Sequence, residues 1–142
     1  MDTGSLQGRA QHASIEVIVA AHRAFNERRL DELEVLVRDD VDLFLPLALG
    51  LTANAETGLP AFRATLANVL RIAPDLYMAL DRAEVVGDLV IVVCRACATG
   101  TDGKRYEWPL RVLVAEDSRQ ITRYVVRAPH ADILADRAAF ER

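Results

Sequence analysis

The chain has 142 residues, a formal net charge of -4 and a hydrophobic content of 51%, which together predict one globular domain. Its basic residues are scattered rather than clustered, so the basic surface that nucleic-acid binding requires is not expected. The longest apolar run, residues 89–93, is far shorter than the ~20 residues of a membrane-spanning helix. The polar N-terminus lacks the apolar segment of a signal peptide, and we therefore expect a cytoplasmic protein.

The N-terminal part of the chain predicts a leader and a first amphipathic helix. Residues 1–13 are polar and are expected to form a flexible leader, ahead of a single domain over residues 14–142. Ser14 is a favourable N-cap for a helix that ends near Arg28. The apolar face of this helix has the spacing of a helical repeat and contains Ile15, Ile18, Val19, His22 and Phe25.

A second short helix and a short strand follow. Asp31 and Glu34 have the spacing of a capping box, and we expect the acidic pair at residues 39–40 to end the helix. The buried side of this helix is predicted to contain Leu33, Leu36 and Val37. Residues 41–45 predict a strand. The loop over residues 46–58 is rich in Leu and Ala, and it is a candidate cover for the mouth of a pocket.

The rest of the chain predicts one more helix and then a sheet. Gly58 and Pro60 begin the third helix and Pro74 ends it. Its apolar stripe contains Phe62, Leu66, Val69 and Leu70. Alternating apolar residues between turn signals predict four long strands, at residues 76–86, 89–99, 105–115 and 121–127. A final helix is predicted over residues 132–140.

This order of elements predicts an α+β fold. Three helices surround one short strand, and a run of long antiparallel strands joined by hairpins follows. Helices segregated to one face of an antiparallel sheet form a layered α+β architecture. A strongly curved sheet with a long helix across its concave side would enclose a conical cavity. No internal repeat and no second domain are expected.

Two cysteines, Cys94 and Cys97, form a C-x-x-C string that invites a redox or metal-site interpretation. They lie within a predicted strand, where residues three apart point to opposite faces. We therefore expect neither a disulfide between them nor a shared metal ion.

Several motifs carry a resemblance to a known family. The segments at residues 21–26, 30–33 and 39–41, together with Gly58 and the Phe-Arg pair at residues 62–63, resemble SnoaL-like proteins of the nuclear transport factor two-like superfamily. The resemblance implies a cone-shaped α+β barrel, in which a curved antiparallel sheet wraps around the N-terminal helices and leaves a pocket. Relatives include polyketide cyclases, ketosteroid isomerases and limonene epoxide hydrolases. The resemblance also implies no metal or organic cofactor, and a homodimer formed through the outer face of the sheet.

The acids of the best-understood relatives are not matched in this chain. The position of the isomerase base corresponds to Leu45, which cannot accept a proton, and that of the isomerase acid to Arg111. Of the epoxide hydrolase set only an arginine is matched, at Arg95, while the acidic positions correspond to Cys97 and Val126. The mechanisms of both relatives are therefore not expected here.

Three polar residues remain as candidates for catalysis: His22, Arg95 and Tyr124. The near-neutral pKa of a histidine suits acid–base work, although the pattern fits a core histidine bonded to a backbone carbonyl somewhat better. Arg95 would stabilise an oxyanion if it faced inward, and would be a surface or interface residue if it faced outward. The predicted substrate-binding residues are Phe25, Leu45, Phe62, Leu66, Cys97, Trp108 and Val126.

Two functions are compatible with this pattern. The first is a cofactor-independent enzyme that acts on an apolar small molecule by cyclisation, isomerisation, dehydration or epoxide opening. The second is a non-catalytic domain of the same fold that binds a small molecule or dimerises. The enzyme hypothesis predicts that His22, Arg95 and Tyr124 converge on one cavity.

Overall fold

The computed structural model describes the backbone of residues 3–44 and 56–127 and the side chains of residues 14–44 and 57–127. Three predictions fall outside these ranges: the pocket residue Leu45, most of the loop over residues 46–58 as a cover, and the final helix over residues 132–140.

The first helix begins earlier than its sequence predicts. Helix α1 spans Thr3–Asn26, so Ser14 is not its N-cap. The Ser14 hydroxyl instead donates a hydrogen bond to Oε1 of Glu116 at 2.6 Å, which ties the helix to a distant strand. A flexible leader over residues 1–13 stays a prediction. Among the residues that the structure describes, no helix is both long and apolar enough to cross a membrane.

The second helix is shorter than expected. Helix α2 spans Leu30–Val35, and no side chain caps its N-terminus, so the predicted cap at Asp31 is wrong. Only Leu33 is buried within it. Strand β1 begins directly afterwards and spans Val37–Phe44. The acidic pair at residues 39–40 therefore lies within a strand and does not end the helix.

The third helix begins where the sequence predicts. Helix α3 spans Leu59–Ile72, with Pro60 in its first turn. Gly58 precedes it with φ +98°, a left-handed conformation that glycine adopts without steric cost. The Gly58 amide donates to the Val41 carbonyl at 2.7 Å, which holds the start of the helix against β1.

The remaining strands are β2 (Glu56–Thr57), β3 (Tyr77–Val86), β4 (Leu89–Thr99), β5 (Arg105–Asp117) and β6 (Gln120–Arg127). The four long strands match their predicted positions closely. Together the strands form one open sheet in the order β2-β1-β6-β5-β4-β3. The fold is the predicted cone-shaped α+β fold, with a curved sheet beside the N-terminal helices.

One strand pair departs from the antiparallel prediction. Strand β1 runs parallel to β6, whereas all other neighbours are antiparallel. These two strands come from opposite ends of the described chain, so no hairpin fixes their relative direction. The sheet is therefore mixed.

The two faces of the sheet are distinguished by alternation along β4. Its inner face packs into the hydrophobic core and carries Val90, Val92, Cys94, Ala96 and Ala98, all of which are buried. Its outer face carries Leu89, Ile91, Val93, Arg95 and Cys97. Helix α1 contributes Ile18, which is fully buried, to the same core as the inner face. The inner face is thus the apolar surface on which the predicted pocket would lie.

Candidate functional site

The only buried polar residue among the described side chains is His22, which is 5% exposed. It lies on α1, one turn after Ile18, and points toward the inner face of the sheet. Its Nδ1 is 2.9 Å from the Ile18 carbonyl oxygen, and its Nε2 is 2.8 Å from the hydroxyl of Tyr124. Both ring nitrogens therefore have a partner, one on the helix and one on β6.

These two partners define where the protons lie. A carbonyl oxygen only accepts hydrogen bonds, so Nδ1 of His22 carries a hydrogen and donates it to Ile18. In the neutral ring the other nitrogen, Nε2, then has a free lone pair. That lone pair accepts the hydroxyl hydrogen of Tyr124.

Tyr124 reaches this position because of the register of the sheet. It pairs with Val114 across β5 and β6, and Val114 in turn pairs with Val90, so all three point to the inner face. The rings of Tyr124 and His22 are tilted, with centroids 5.7 Å apart. Burial raises the pKa of Tyr124 strongly, and the neighbouring Cys94 adds to that increase.

Burial also determines the charge of the histidine. Desolvation lowers the pKa of His22 below its ordinary value, and the hydrogen bond to Ile18 opposes this only in part. Burial raises the pKa of Cys94 to about 11, and the charge of Asp81 contributes. At neutral pH the cluster of His22, Tyr124 and Cys94 is therefore uncharged, and Nε2 of His22 is unprotonated.

Arg95 does not join this cluster, so of the three predicted catalytic residues the structure brings only His22 and Tyr124 together. Its guanidinium lies on the outer face, 3.0 Å from Oδ1 of Asp81 and 3.2 Å from Oε1 of Glu107. The Arg95 side chain is 43% exposed. Both carboxylates raise its pKa further. The physical reason is strand alternation, since the adjacent Cys94 occupies the inner face.

Cys97 also lies on the outer face, because it follows Arg95 by two residues in the same strand. Its Sγ is 3.8 Å from Oε2 of Glu107, and it is not part of the main core cluster. Both cysteines are free, and they point to opposite faces of the strand. Four other predicted substrate-binding residues are buried in the core: Phe25, Phe62, Trp108 and Val126. Leu66 is partly buried against the same core.

Sequence reasoning missed Cys94 as a member of the inner cluster. The C-x-x-C string suggested a role for the two cysteines as a pair. The relevant signal was strand alternation, which places Cys94 on the same face as Val92 and Ala96. Within residues 14–44 and 57–127, no group of three or more His, Cys, Asp or Glu side chains could hold a metal ion.

Comparison with known proteins identifies the same architecture. The SnoaL-like domain family matches residues 18–124. No curated protein matches this chain. Among solved structures, TerC, co-crystallised with polyporic acid, is 20% identical with a TM-score of 0.75, over 85% of this chain and 98% of that one.

Two further structures are similar. IdmH, a putative polyketide cyclase from Streptomyces antibioticus, is 19% identical with a TM-score of 0.73, over 84% of this chain and 94% of that one. A protein with a ketosteroid isomerase-like fold from Catenulispora acidiphila, in complex with trimethylamine, is 16% identical with a TM-score of 0.72, over 87% and 92% of the two chains. The TM-scores establish a common fold with these three proteins.

Proposed function

The chain belongs to the SnoaL-like domain family, and from that premise we propose that it is a cofactor-independent enzyme that acts on an apolar small molecule by acid–base chemistry. One observation carries the proposal: an uncharged His22 accepts the hydroxyl hydrogen of Tyr124 inside an otherwise apolar core. Such a polar pair, hydrogen-bonded within apolar surroundings and held by two different elements, is a strong candidate for proton transfer.

The pair provides a two-step path for a proton. A substrate C–H or O–H group placed against Tyr124 gives its proton to the phenol oxygen, while the phenol gives its own hydrogen to Nε2 of His22. The products are a substrate anion, a neutral Tyr124 and a His22 imidazolium, so protons and charge balance. Tyr124 is then the catalytic residue, and His22 acts through it. The reverse transfer delivers the proton to another atom of the substrate.

The proposed substrate is a neutral organic molecule with a large apolar part. The inner face that surrounds the pair consists almost entirely of Val, Leu, Ala and Trp side chains, which favour apolar ligands. Polyporic acid in the TerC crystals and the putative cyclase assignment of IdmH support a small organic ligand. Cyclisation, isomerisation, dehydration and epoxide opening all require the proton transfer that this pair provides.

We also propose that two copies associate through the outer face. Its centre is apolar and consists of Leu89, Ile91, Val93, Leu113, Ala115 and Val125. A twofold axis along the strands, between β4 and β5, places the apolar centre of one copy over that of the other. An apolar patch that is complementary to itself favours association of two identical copies.

Proton exchange tests the catalytic proposal without knowledge of the natural reaction. We would incubate the protein in D₂O with 2-tetralone and other enolisable apolar ketones, and follow deuterium uptake beside the carbonyl by NMR. Tyr124→Phe removes the hydroxyl and little else, so we expect exchange to fall by about 100-fold or more.

A matched control comes from the outer face. Arg95→Ala also removes a polar side chain from the sheet, and we expect exchange to stay at its original rate. Equal exchange in the Tyr124→Phe and unchanged proteins would refute the proton path. Binding of the ketones without any exchange would favour the non-catalytic domain instead.

A further inference from the structure

The directions of the two hydrogen bonds of His22 determine whether the Tyr124 hydroxyl can donate to a ligand or only accept from it. The Ile18 carbonyl holds the hydrogen on Nδ1 of His22, and the lone pair of Nε2 therefore takes the hydrogen of Tyr124. The phenol oxygen is left with acceptor capacity only. Within the described residues, no side chain or backbone group donates a hydrogen bond to it. Toward the described part of the chain, the capacity of the phenol oxygen to accept a hydrogen bond is thus unused.

The burial of His22 and Tyr124 indicates which of the two would contact a ligand. His22 is 5% exposed, and both of its nitrogens are occupied. Tyr124 is only partly buried as a residue and packs against the core from β6, so it is the more exposed of the two. A ligand on the inner face therefore contacts Tyr124, and His22 affects that ligand only through the phenol.

We infer that the site selects ligands that donate a hydrogen bond to Tyr124, such as phenols and enols, over ligands that can only accept one, such as simple ketones and ethers. This inference rests on the proposed small-molecule function and names its ligand class. To donate toward a ketone, the phenol would have to rotate its hydrogen away from Nε2. That rotation leaves a buried acceptor without a partner, which is costly in an apolar interior.

The charges around the pair point to the same ligand class. All described arginines and the described lysine are at least partly exposed, and Arg95, the neighbour of Cys94 in sequence, is bonded to carboxylates on the outer face. An anionic ligand would therefore find no countercharge on the inner face. Such an anion would also be repelled by the lone pairs of the phenol oxygen, because the hydrogen of Tyr124 is donated to His22. The favoured ligand is neutral and carries its own O–H or N–H group.

Three naphthalenes of similar size separate donors from acceptors. The donor is 2-naphthol, the acceptor is 2-acetylnaphthalene, and 2-methoxynaphthalene is a weak acceptor with no donor. Titration calorimetry near neutral pH should give a dissociation constant for 2-naphthol at least about tenfold lower than those of the other two. In Tyr124→Phe this preference should disappear. A wild-type preference for 2-acetylnaphthalene, or a tenfold preference that survives in Tyr124→Phe, would overturn the inference.

A substitution at His22 gives a result that a merely structural role would not produce. In His22→Leu the phenol has no acceptor within the pair, so its hydrogen becomes available to the ligand. We expect the affinity for 2-acetylnaphthalene to rise relative to that for 2-naphthol, by about tenfold in their ratio. An unchanged ratio in a variant whose circular dichroism matches the parent would contradict the proposed polarity.

The tautomer of His22 provides a test that needs no ligand. Nitrogen-15 spectra of histidine-labelled protein should show a ring protonated at Nδ1 and unprotonated at Nε2, and this signal should vanish in His22→Leu. A ring protonated at Nε2 would overturn the inference even if none of the naphthalenes binds. Because these measurements do not involve turnover, a failure of the catalytic proposal would appear separately, as absent proton exchange with an intact donor preference.

Discussion

The inner and outer faces of the same sheet use polar residues in opposite ways. On the inner face, His22 and Tyr124 are bonded to each other at 2.8 Å within apolar surroundings. On the outer face, Arg95 is shared between Asp81 and Glu107, and all three side chains are between 41% and 52% exposed. The first pair is uncharged and largely surrounded by apolar side chains, whereas the second cluster is charged and solvated.

This difference shows why position relative to the sheet matters more than residue type. An arginine is the more obvious functional residue, yet water and two carboxylates satisfy Arg95 on the outer face. Exposed ion pairs of this kind contribute little to stability because solvent screens them. A buried hydrogen bond between neutral groups is not screened, and breaking it leaves polar atoms without a partner. The chemistry is therefore expected on the inner face and association on the outer face.

The largest expected effect is on association. Leu113→Glu introduces a carboxylate into the apolar centre of the outer face, where it would be buried between two copies. Because an unpaired buried charge is costly, we expect the dimer to dissociate about 100-fold more readily, as measured by sedimentation equilibrium.

The control for this variant is Val35→Glu. Val35 is apolar and 71% exposed but lies on α2, away from the outer face. It should leave the association unchanged. Equal weakening by both variants, or no weakening by Leu113→Glu, would contradict a dimer through the outer face.

The second prediction compares two neighbouring valines on opposite faces. Val92 is fully buried on the inner face, so Val92→Ala should lower the free energy of unfolding by about 2–3 kcal/mol. Val93 is partly buried on the outer face, and Val93→Ala should lower it by less than about 1 kcal/mol. Urea unfolding in the Leu113→Glu background measures both without a contribution from association. Equal losses would mean that the two faces are not distinct in burial.

The third prediction concerns acid. The pKa of His22 is lowered in the folded protein, whereas in the unfolded chain it takes the ordinary value of about 6.5. Below that pH the unfolded chain binds a proton that the folded protein does not, so the free energy of unfolding should fall as the pH decreases. His22→Leu should reduce this slope, since the other two histidines are present in both proteins. Identical slopes would show that burial does not keep His22 neutral.

Much of the fold could be predicted because its signals are local. The strand over residues 89–99 and the turns around it follow from alternation and from Gly and Asp at the hairpins. The start of α1 could not be predicted this way. Ser14 has the local features of a cap, but its hydroxyl bonds Glu116, a partner far along the chain. The parallel pairing of β1 with β6 likewise depends on contacts that no local pattern reveals.

The candidate site was predicted in part for a similar reason. Helical spacing placed His22 on the buried side of α1, and strand parity placed Tyr124 with Val126. Alternation along β4 could not assign Arg95 to a face, because this strand is apolar at both its odd and its even positions. An outer face that is itself apolar makes the two faces look alike in sequence. The hydrogen bond between His22 and Tyr124 joins residues from opposite ends of the family match, and only the folded chain reveals it.

The smallest expected effect belongs to Arg95→Ala. The guanidinium contacts only exposed carboxylates, so its loss should leave the 2-naphthol affinity and the melting temperature nearly unchanged, with affinity altered by less than about twofold. A variant of Cys94 provides the comparison, because this neighbour of Arg95 in sequence lies on the inner face. Cys94→Val fills the inner face beside Tyr124 with a branched side chain and should weaken 2-naphthol binding in the same assay. If Arg95→Ala weakened binding more than Cys94→Val did, the ligand would lie on the outer face, and the division of function between the two faces would be reversed.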